Sequence, residues 1–455
     1  MRINPINIFK LKFWYLPLLL MGSPVFVSGQ ATVTKTLTLD EAIKLGVAES
    51  KNLKYDKSRI ANAGTKVDQA KDYQLPTASV YGNYTRNSNI TPLVFPLPLG
   101  PNGSTELFTV YPNIPNNYTF HAGAGEVIYA GGRTKYGIQS SEYMQRALQL
   151  DADKDKSDII LNIVNAYYNL YKAQASDRIV NENIKQVQQH LTETQSFEQN
   201  GLAVHNDVVR IQLQLSNVQL SKIDIEDNIK VANYNLDVML GLAENTQLMI
   251  DSAINASSRA LKSYPEYLQA ANANRNDVKA YDMRIKAAQA GISAARSYNM
   301  PVLTVQGEYL DANPNQRIFP PAAKFESTWD AGITLSYDLR GAYTTRHQVA
   351  DATTQMEETK NLMDGLSDQI KMEVNQAYIG YQESLDKIDL SQKAVDQAEE
   401  NNKLMTSRYN NHVAILSDLL DASNLILQAK VNLALAKADS EVAYNQLQKA
   451  IGNLN

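Results

Sequence analysis

The 455-residue sequence predicts a mainly α-helical chain carrying a membrane β-barrel, with the whole plan duplicated internally. Three observations point there. Two helical stretches are too long for any globular core, four short segments alternate apolar and polar residues, and the two halves of the chain align with each other.

The chain opens with Arg2, Lys10 and Lys12, continues through a largely apolar Phe13–Val27, and reaches the small residues Ser28-Gly29. That layout predicts a secretory signal peptide over residues 1–29, too short and too interrupted by Pro17 to be a spanning helix. Its removal takes the formal charge from −5 to −8 through those three basic residues, which argues against a nucleic-acid partner. The absence of cysteine excludes disulfides and thiol chemistry, and with them a lipid anchor on an N-terminal cysteine. No later segment reaches the roughly 18 apolar residues of a transmembrane helix, so an exported chain that crosses a membrane must use strands.

A shift of 225 positions aligns Glu41 with Glu266, Ala48 with Ala273, Pro76 with Pro301, Gly82 with Gly307 and Tyr84 with Tyr309. Further on, a shift of 211 aligns Ala203 with Ala414, Asp207 with Asp418, Leu236 with Leu447 and Gly241 with Gly452. Matches kept in one order mark a duplicated unit. The reading places a first repeat at 30–241, an equatorial linker at 242–263 and a second repeat at 264–455. Any equatorial collar must come mainly from that linker and the N-terminal stretch.

Each half opens with a helix, over Leu39–Asp72 and Tyr264–Tyr298, ended by the proline that follows. Asp40 and Glu41 suit the first turn of the earlier one. Strands are expected at 77–87, 118–130, 301–311 and 327–339. The last is the clearest: Trp329, Ala331, Ile333, Leu335, Tyr337 and Leu339 alternate with Asp330, Gly332, Thr334, Ser336 and Asp338. The first-half copies are weaker, and Glu126 falls on the face that should be apolar. Four strands cannot close a barrel, eight close one whose side chains fill it, and twelve leave a lumen, so a pore argues for three chains. The proline-rich 87–117 reads as a long loop at the outer mouth. Helices of about 65 residues then span Thr134–Asn200 and Thr345–Asn411, each about 100 Å long, and must pack on one another as staves. Both hairpins fall at one end of the staves and both helical turns at the other.

Chemistry-bearing residues are sparse. His121, His190, His205, His347 and His412 each stand alone, without metal-ligand spacing, and read as surface or turn residues. Gly123-Ala124-Gly125 and Gly131-Gly132 lack a phosphate-loop pattern, lie in or after a strand, and read as barrel packing. No catalytic residue, metal site or cofactor is expected. The helical turns say more. The first reads Asn200-Gly201-Leu202-Ala203-Val204-His205-Asn206-Asp207 and the second Asn411-His412-Val413-Ala414-Ile415-Leu416-Ser417-Asp418. Asn206 and Ser417 are expected as N-caps, with Asp207 and Asp418 in the first helical turn. Asp418 and Asp421, three apart, share a helix face. A solvated helix start is the plain alternative for them.

These residues resemble the TolC-like outer-membrane efflux family over nearly the whole mature chain. Leu37–Ile43 resembles the family's opening LTLxEAL segment. Leu75-Pro76 with Tyr81 and Tyr84 is similar to its approach to the barrel, and Val127–Arg133 to the aromatic-x-GGR element that leaves it. Asn200–Ala203 with Asp207-Val208-Val209 is similar to its helical tip. The resemblance implies a homotrimer with a twelve-stranded barrel in outer-membrane lipid, a periplasmic helical barrel, no enzymatic activity, and export in partnership with a periplasmic adaptor and an inner-membrane pump, in efflux or type I secretion. It also implies roles. Asp418 and Asp421 would ring a closed constriction, Tyr409 would belong to the hydrogen-bond network that holds it, and Asp207 is grouped with them. Gly201, Leu202, Ala203, Val413 and Ala414 would meet the adaptor. Two departures stand out: His412 replaces a customary glycine, and Ala414 stands where some members carry a gate-locking arginine. The alternative reading is a coiled-coil envelope spacer or adhesin without a conduit, which needs no alternating strands.

Overall fold

The computed structural model describes residues 33–98, 104–251 and 259–454; the expected signal peptide lies outside them. In chain order the elements are β1 (Val33–Leu37), α1 (Leu39–Glu49), α2 (Lys51–Asp72), β2 (Thr77–Arg86), β3 (Leu93–Leu97), β4 (Glu106–Tyr111), β5 (Asn116–Tyr129), α3 (Arg133–Gln199) and α4 (His205–Leu240). They continue with β6 (Thr246–Ile250), α5 (Tyr264–Asn274), α6 (Asn276–Arg296), β7 (Val302–Asn313), β8 (Glu326–Ser336), α7 (Gly341–Asn410) and α8 (Leu416–Ala450).

The opening helix of each half is broken rather than continuous. Ser50, at ψ 117°, ends α1, and its hydroxyl accepts the Leu53 amide at 3.3 Å to start α2. Arg275, 225 positions on, breaks the second copy at ψ 128°. The break there tucks the guanidinium inside, where it donates to Asp277, to Glu373 of α7 and to the Ala450 carbonyl of α8. A buried cation held by two carboxylates ties three helices together.

Strands β2, β5, β7 and β8 form one antiparallel sheet in that order. The pairing Tyr81–His121–Leu310–Thr328 fixes one face, and Val80–Ala122–Tyr309–Trp329 the other. The first carries Ser79, Asn83, Gln306 and Thr334; the second carries Val305 and Ile333, with Glu126 among them as the pattern anticipated. Trp329 and Ile333 are 76% and 73% exposed, so the apolar face is bare. The last strand stops at Ser336, earlier than the alternation suggests, because Asp338 starts a turn: its carboxylate accepts the Arg340 amide at 3.0 Å and its carbonyl the Gly341 amide at 2.9 Å. The 87–117 insertion is not wholly a loop, since β3 and β4 pair within it. Proline at position 96 is tolerated there because a two-stranded hairpin leaves each strand a free edge.

No helix among the described residues is long and apolar enough to cross a membrane. The 67 residues of α3 and 70 of α7 make staves of about 100 Å. Near the strands the helices lie in the order α2, α3, α6, α7; near the turns the order is α4, α3, α8, α7. At mid-height β1 runs parallel to β6, with Leu37, Leu248, Ile163, Leu170, Leu236 and Leu240 in one apolar cluster.

Candidate gate and docking tips

The two turns far from the sheet are copies of each other in three dimensions. In the first, α3 ends at Asn200, Gly201 takes φ +72°, and the Leu202 amide returns to the Phe197 carbonyl at 2.8 Å. In the second, α7 ends at Asn411, His412 takes φ +58°, and the Val413 amide returns to the Arg408 carbonyl at 2.8 Å. Each is a Schellman closure, which needs one left-handed residue. Glycine accepts that conformation freely; His412 holds it at a cost of about 1–2 kcal/mol.

The N-caps differ from expectation. Val204 and Ile415, not Asn206 and Ser417, hold those positions, with extended backbone and no side-chain cap. The backbone closure just before them fixes where the next helix starts, two residues ahead of the better capping side chains. Asp207 and Asp418 do fall in the first helical turns, where the helix dipole favours a carboxylate.

The tips expose Gly201, Leu202, Val413 and, half-covered, Ala203 and Ala414. They also expose Val204 and Ile415, at 62% and 67%, which sequence reasoning passed over. No local spacing marked them, because their N-cap positions are set by the backbone closure just before. Asp418 and Asp421 are exposed on one face of α8 and have no ion-pair partner among the described residues. Asp207 is half-buried.

Tyr409 is one of the residues that join the two hairpins. It is buried, and its hydroxyl lies 2.8 Å from that of Thr194, which is fully enclosed on α3. Burial raises the phenol's pKa; the Thr194 contact lowers it, and the nearby charges of Asp207 and Glu193 raise it. Beside it Phe197 sits 6.0 Å from the Tyr409 ring and 4.7 Å, edge-on, from the His412 ring. The apolar cluster around this contact takes Val187 from α3, Ile211 from α4, and Leu416, Leu419 and Leu420 from α8. A second polar link, Gln214 of α4 donating to Asn424 of α8 at 2.6 Å, spans the same two hairpins. Thr194, Phe197, Gln214 and Asn424 were not singled out from the sequence.

The histidines are less solitary than their spacing suggests. His190 is buried within α3 beside Glu193, His205 bonds Glu198 at 2.8 Å, and His121 bonds Glu308 at 2.8 Å on the sheet. Gly131 and Gly132 follow β5, and both take positive φ at the switch into α3.

The family model described as "Outer membrane efflux protein" matches residues 43–242 and again 267–453. The chain belongs to the outer membrane efflux protein family. It is therefore an outer-membrane export channel protein whose helical part lies in the periplasm, and the match in two stretches agrees with the duplication. No curated protein matches the chain by sequence. Solved efflux-family structures share the fold. The channel protein CusC superposes with a TM-score of 0.75 at 16% identity, covering 91% of this chain and 92% of that one. The outer membrane protein VceC from Vibrio cholerae gives 0.70 at 17%, covering 91% and 96%. The open state of the MtrE outer membrane channel from Neisseria gonorrhoeae gives 0.71 at 16%, covering 92% and 89%. The conduit-free spacer finds no support in these likenesses.

Proposed function

We propose that three copies of this chain close into one passive export duct, gated at the helical tips by the contacts between hairpins. The observation that carries this reading is the four-stranded sheet with a bare apolar face and unpaired outer edges on β2 and β8. A free edge in a membrane must be paired, and closure removes it. The direction is right: β8 runs antiparallel to β2 of the same sheet order, so a neighbour's β2 can continue the alternation. Twelve strands leave a lumen lined by the polar face, whereas eight would fill it.

The helices support the same closure. Leu213, Leu220, Val231, Tyr234 and Val238 form one exposed stripe on α4, and Met372, Ile379, Leu390 and Leu404 form another on α7. These helices are the two outer staves of the tip half. Two unlike edges meet head to tail, and such contacts generate a ring when the rotation closes.

At the tips, the Thr194–Tyr409 and Gln214–Asn424 bonds and the Phe197–His412 contact hold the α3–α4 and α7–α8 hairpins together in one arrangement. Opening separates them. A partner that docks on Leu202, Val204, Val413 and Ile415 opens the gate only if it binds the open arrangement more tightly. That partner is a periplasmic adaptor of an inner-membrane pump, which supplies the energy, while this chain supplies the exit and catalyses nothing. Asp418 and Asp421 from three chains place six carboxylates near the constriction and favour cations there. Native mass spectrometry of the detergent-purified mature protein tests the assembly. Three chains per particle are expected; a monomer or dimer as the stable species would end the duct reading.

A further inference from the structure

The polar face of the sheet carries a charge cluster far from the tips. His121 of β5 donates its Nε2–H to the carboxylate of Glu308 of β7 at 2.8 Å. Arg317, from the connection between β7 and β8, bridges Glu308 and also reaches Asp330 of β8 at 2.8 Å. The His121 ring stacks on Tyr81 of β2, centroids 4.6 Å apart and planes 18° from parallel. All four strands therefore contribute. Gly123, Glu308 and Asp330 are register partners, and His121 and Tyr81 face each other one step towards the outer loops on the same face.

Arg317 is aimed, not incidental. Asn315, 1% exposed, donates to the Glu326 carbonyl at 2.8 Å and to the Thr328 hydroxyl at 3.2 Å, and its own oxygen accepts the Arg317 amide at 2.9 Å. That clamp turns the connection back so that its one arginine lies over the strands. The other charge on this face of the four strands is Glu326, which Lys324 neutralises; β2 contributes only Ser79, Tyr81, Asn83 and Thr85 around the cluster.

We propose that Glu308, Asp330, Arg317 and His121 form a second charge filter, in the barrel beneath the outer mouth, which sets the ion selectivity of the duct independently of the tip aspartates. This rests on the reading that the polar face lines the lumen of a three-chain barrel. With histidine neutral, two carboxylates and one guanidinium leave one negative charge per chain and three in the ring. The groups facing His121 are Tyr81, Glu308, Arg317 and Asp330. A ring of fixed charge in a narrow, low-dielectric passage concentrates the opposite ion.

The test is the reversal potential across a KCl gradient in planar bilayers, with Tyr409→Phe, Asp418→Ala and Asp421→Ala present throughout so that the latch is weakened and the tip carboxylates contribute no selectivity. Arg317→Gln should shift it towards cations, and Glu308→Gln with Asp330→Asn towards anions. Arg317→Lys keeps the charge while losing the fork, and should hold the parent value if charge rather than loop structure decides. Channels that conduct with the same reversal potential in every variant overturn the filter alone. No conduction from any of them overturns the duct, and the filter with it.

Discussion

Replacing Tyr409 with phenylalanine removes one hydroxyl and nothing else from the contact between the two hairpins. The Thr194 hydroxyl, 0% exposed, then loses its 2.8 Å partner without gaining water. An orphaned buried polar group costs about 1–3 kcal/mol. The low end applies, because a helical threonine can turn its hydroxyl to the carbonyl four residues back. The cost falls on the closed arrangement only, since separated hairpins let water reach Thr194. At 1.4 kcal/mol per tenfold, a cost of about 1 kcal/mol makes one chain's tip open about five times more often, and three tips opening together compound the effect. Thr194→Val on the Tyr409→Phe background removes the orphan as well, and paired apolar replacement is close to neutral. Single-channel open probability should therefore rise most in Tyr409→Phe and less in the double variant. An unchanged open probability in Tyr409→Phe refutes the latch. A double variant as open as Tyr409→Phe refutes the orphaned-hydroxyl argument.

Two further outcomes follow from local chemistry. At position 412, alanine keeps the left-handed strain and loses the ring contact with Phe197, whereas glycine loses the contact but relieves the strain. Thermal unfolding should rank His412→Ala below His412→Gly by about 1 kcal/mol, and equal melting temperatures would contradict the strain. Asp237 on α4 is 0% exposed and has one carboxylate oxygen without a partner; burial pushes its pKa from the ordinary 3.8 up to about 6, against the Asn233 hydrogen bond that lowers it. Its folded pKa is raised, so its stability contribution is full below about pH 4 and is lost as pH rises through about 6, by up to about 3 kcal/mol. Asp237→Asn should flatten the melting-temperature profile between pH 4 and 8; an unchanged slope would place the dependence elsewhere.

What could be read in the sequence was what repeats or alternates. The 225-position shift relates the two helix breaks as well as the aligned residues, but one helix was expected through each; Ser50 at least carries a side chain suited to a cap. Arg275 does not, because its break serves contacts with Glu373 and Ala450, about 100 and 175 positions away. The period-two pattern of Trp329–Leu335 gives the sheet face correctly, yet Asp338 ends the strand before Tyr337 and Leu339 can join it. At the tips, Asn206 and Ser417 have the right side chains for caps and the wrong positions, since a backbone closure decides the start of each helix. Thr194 and Tyr409 lie 215 positions apart, and no local spacing links them.

The central claim is a gated duct, and single-channel current across a planar bilayer tests it most directly. Mature protein and the Asp418→Ala, Asp421→Ala variant would be inserted side by side, with a divalent cation added to each. Small cation-selective currents that grow in the variant, together with weaker divalent block, are expected. Confirmed insertion of both proteins with no current from either would contradict the duct, and equal currents with equal block would contradict the acidic ring.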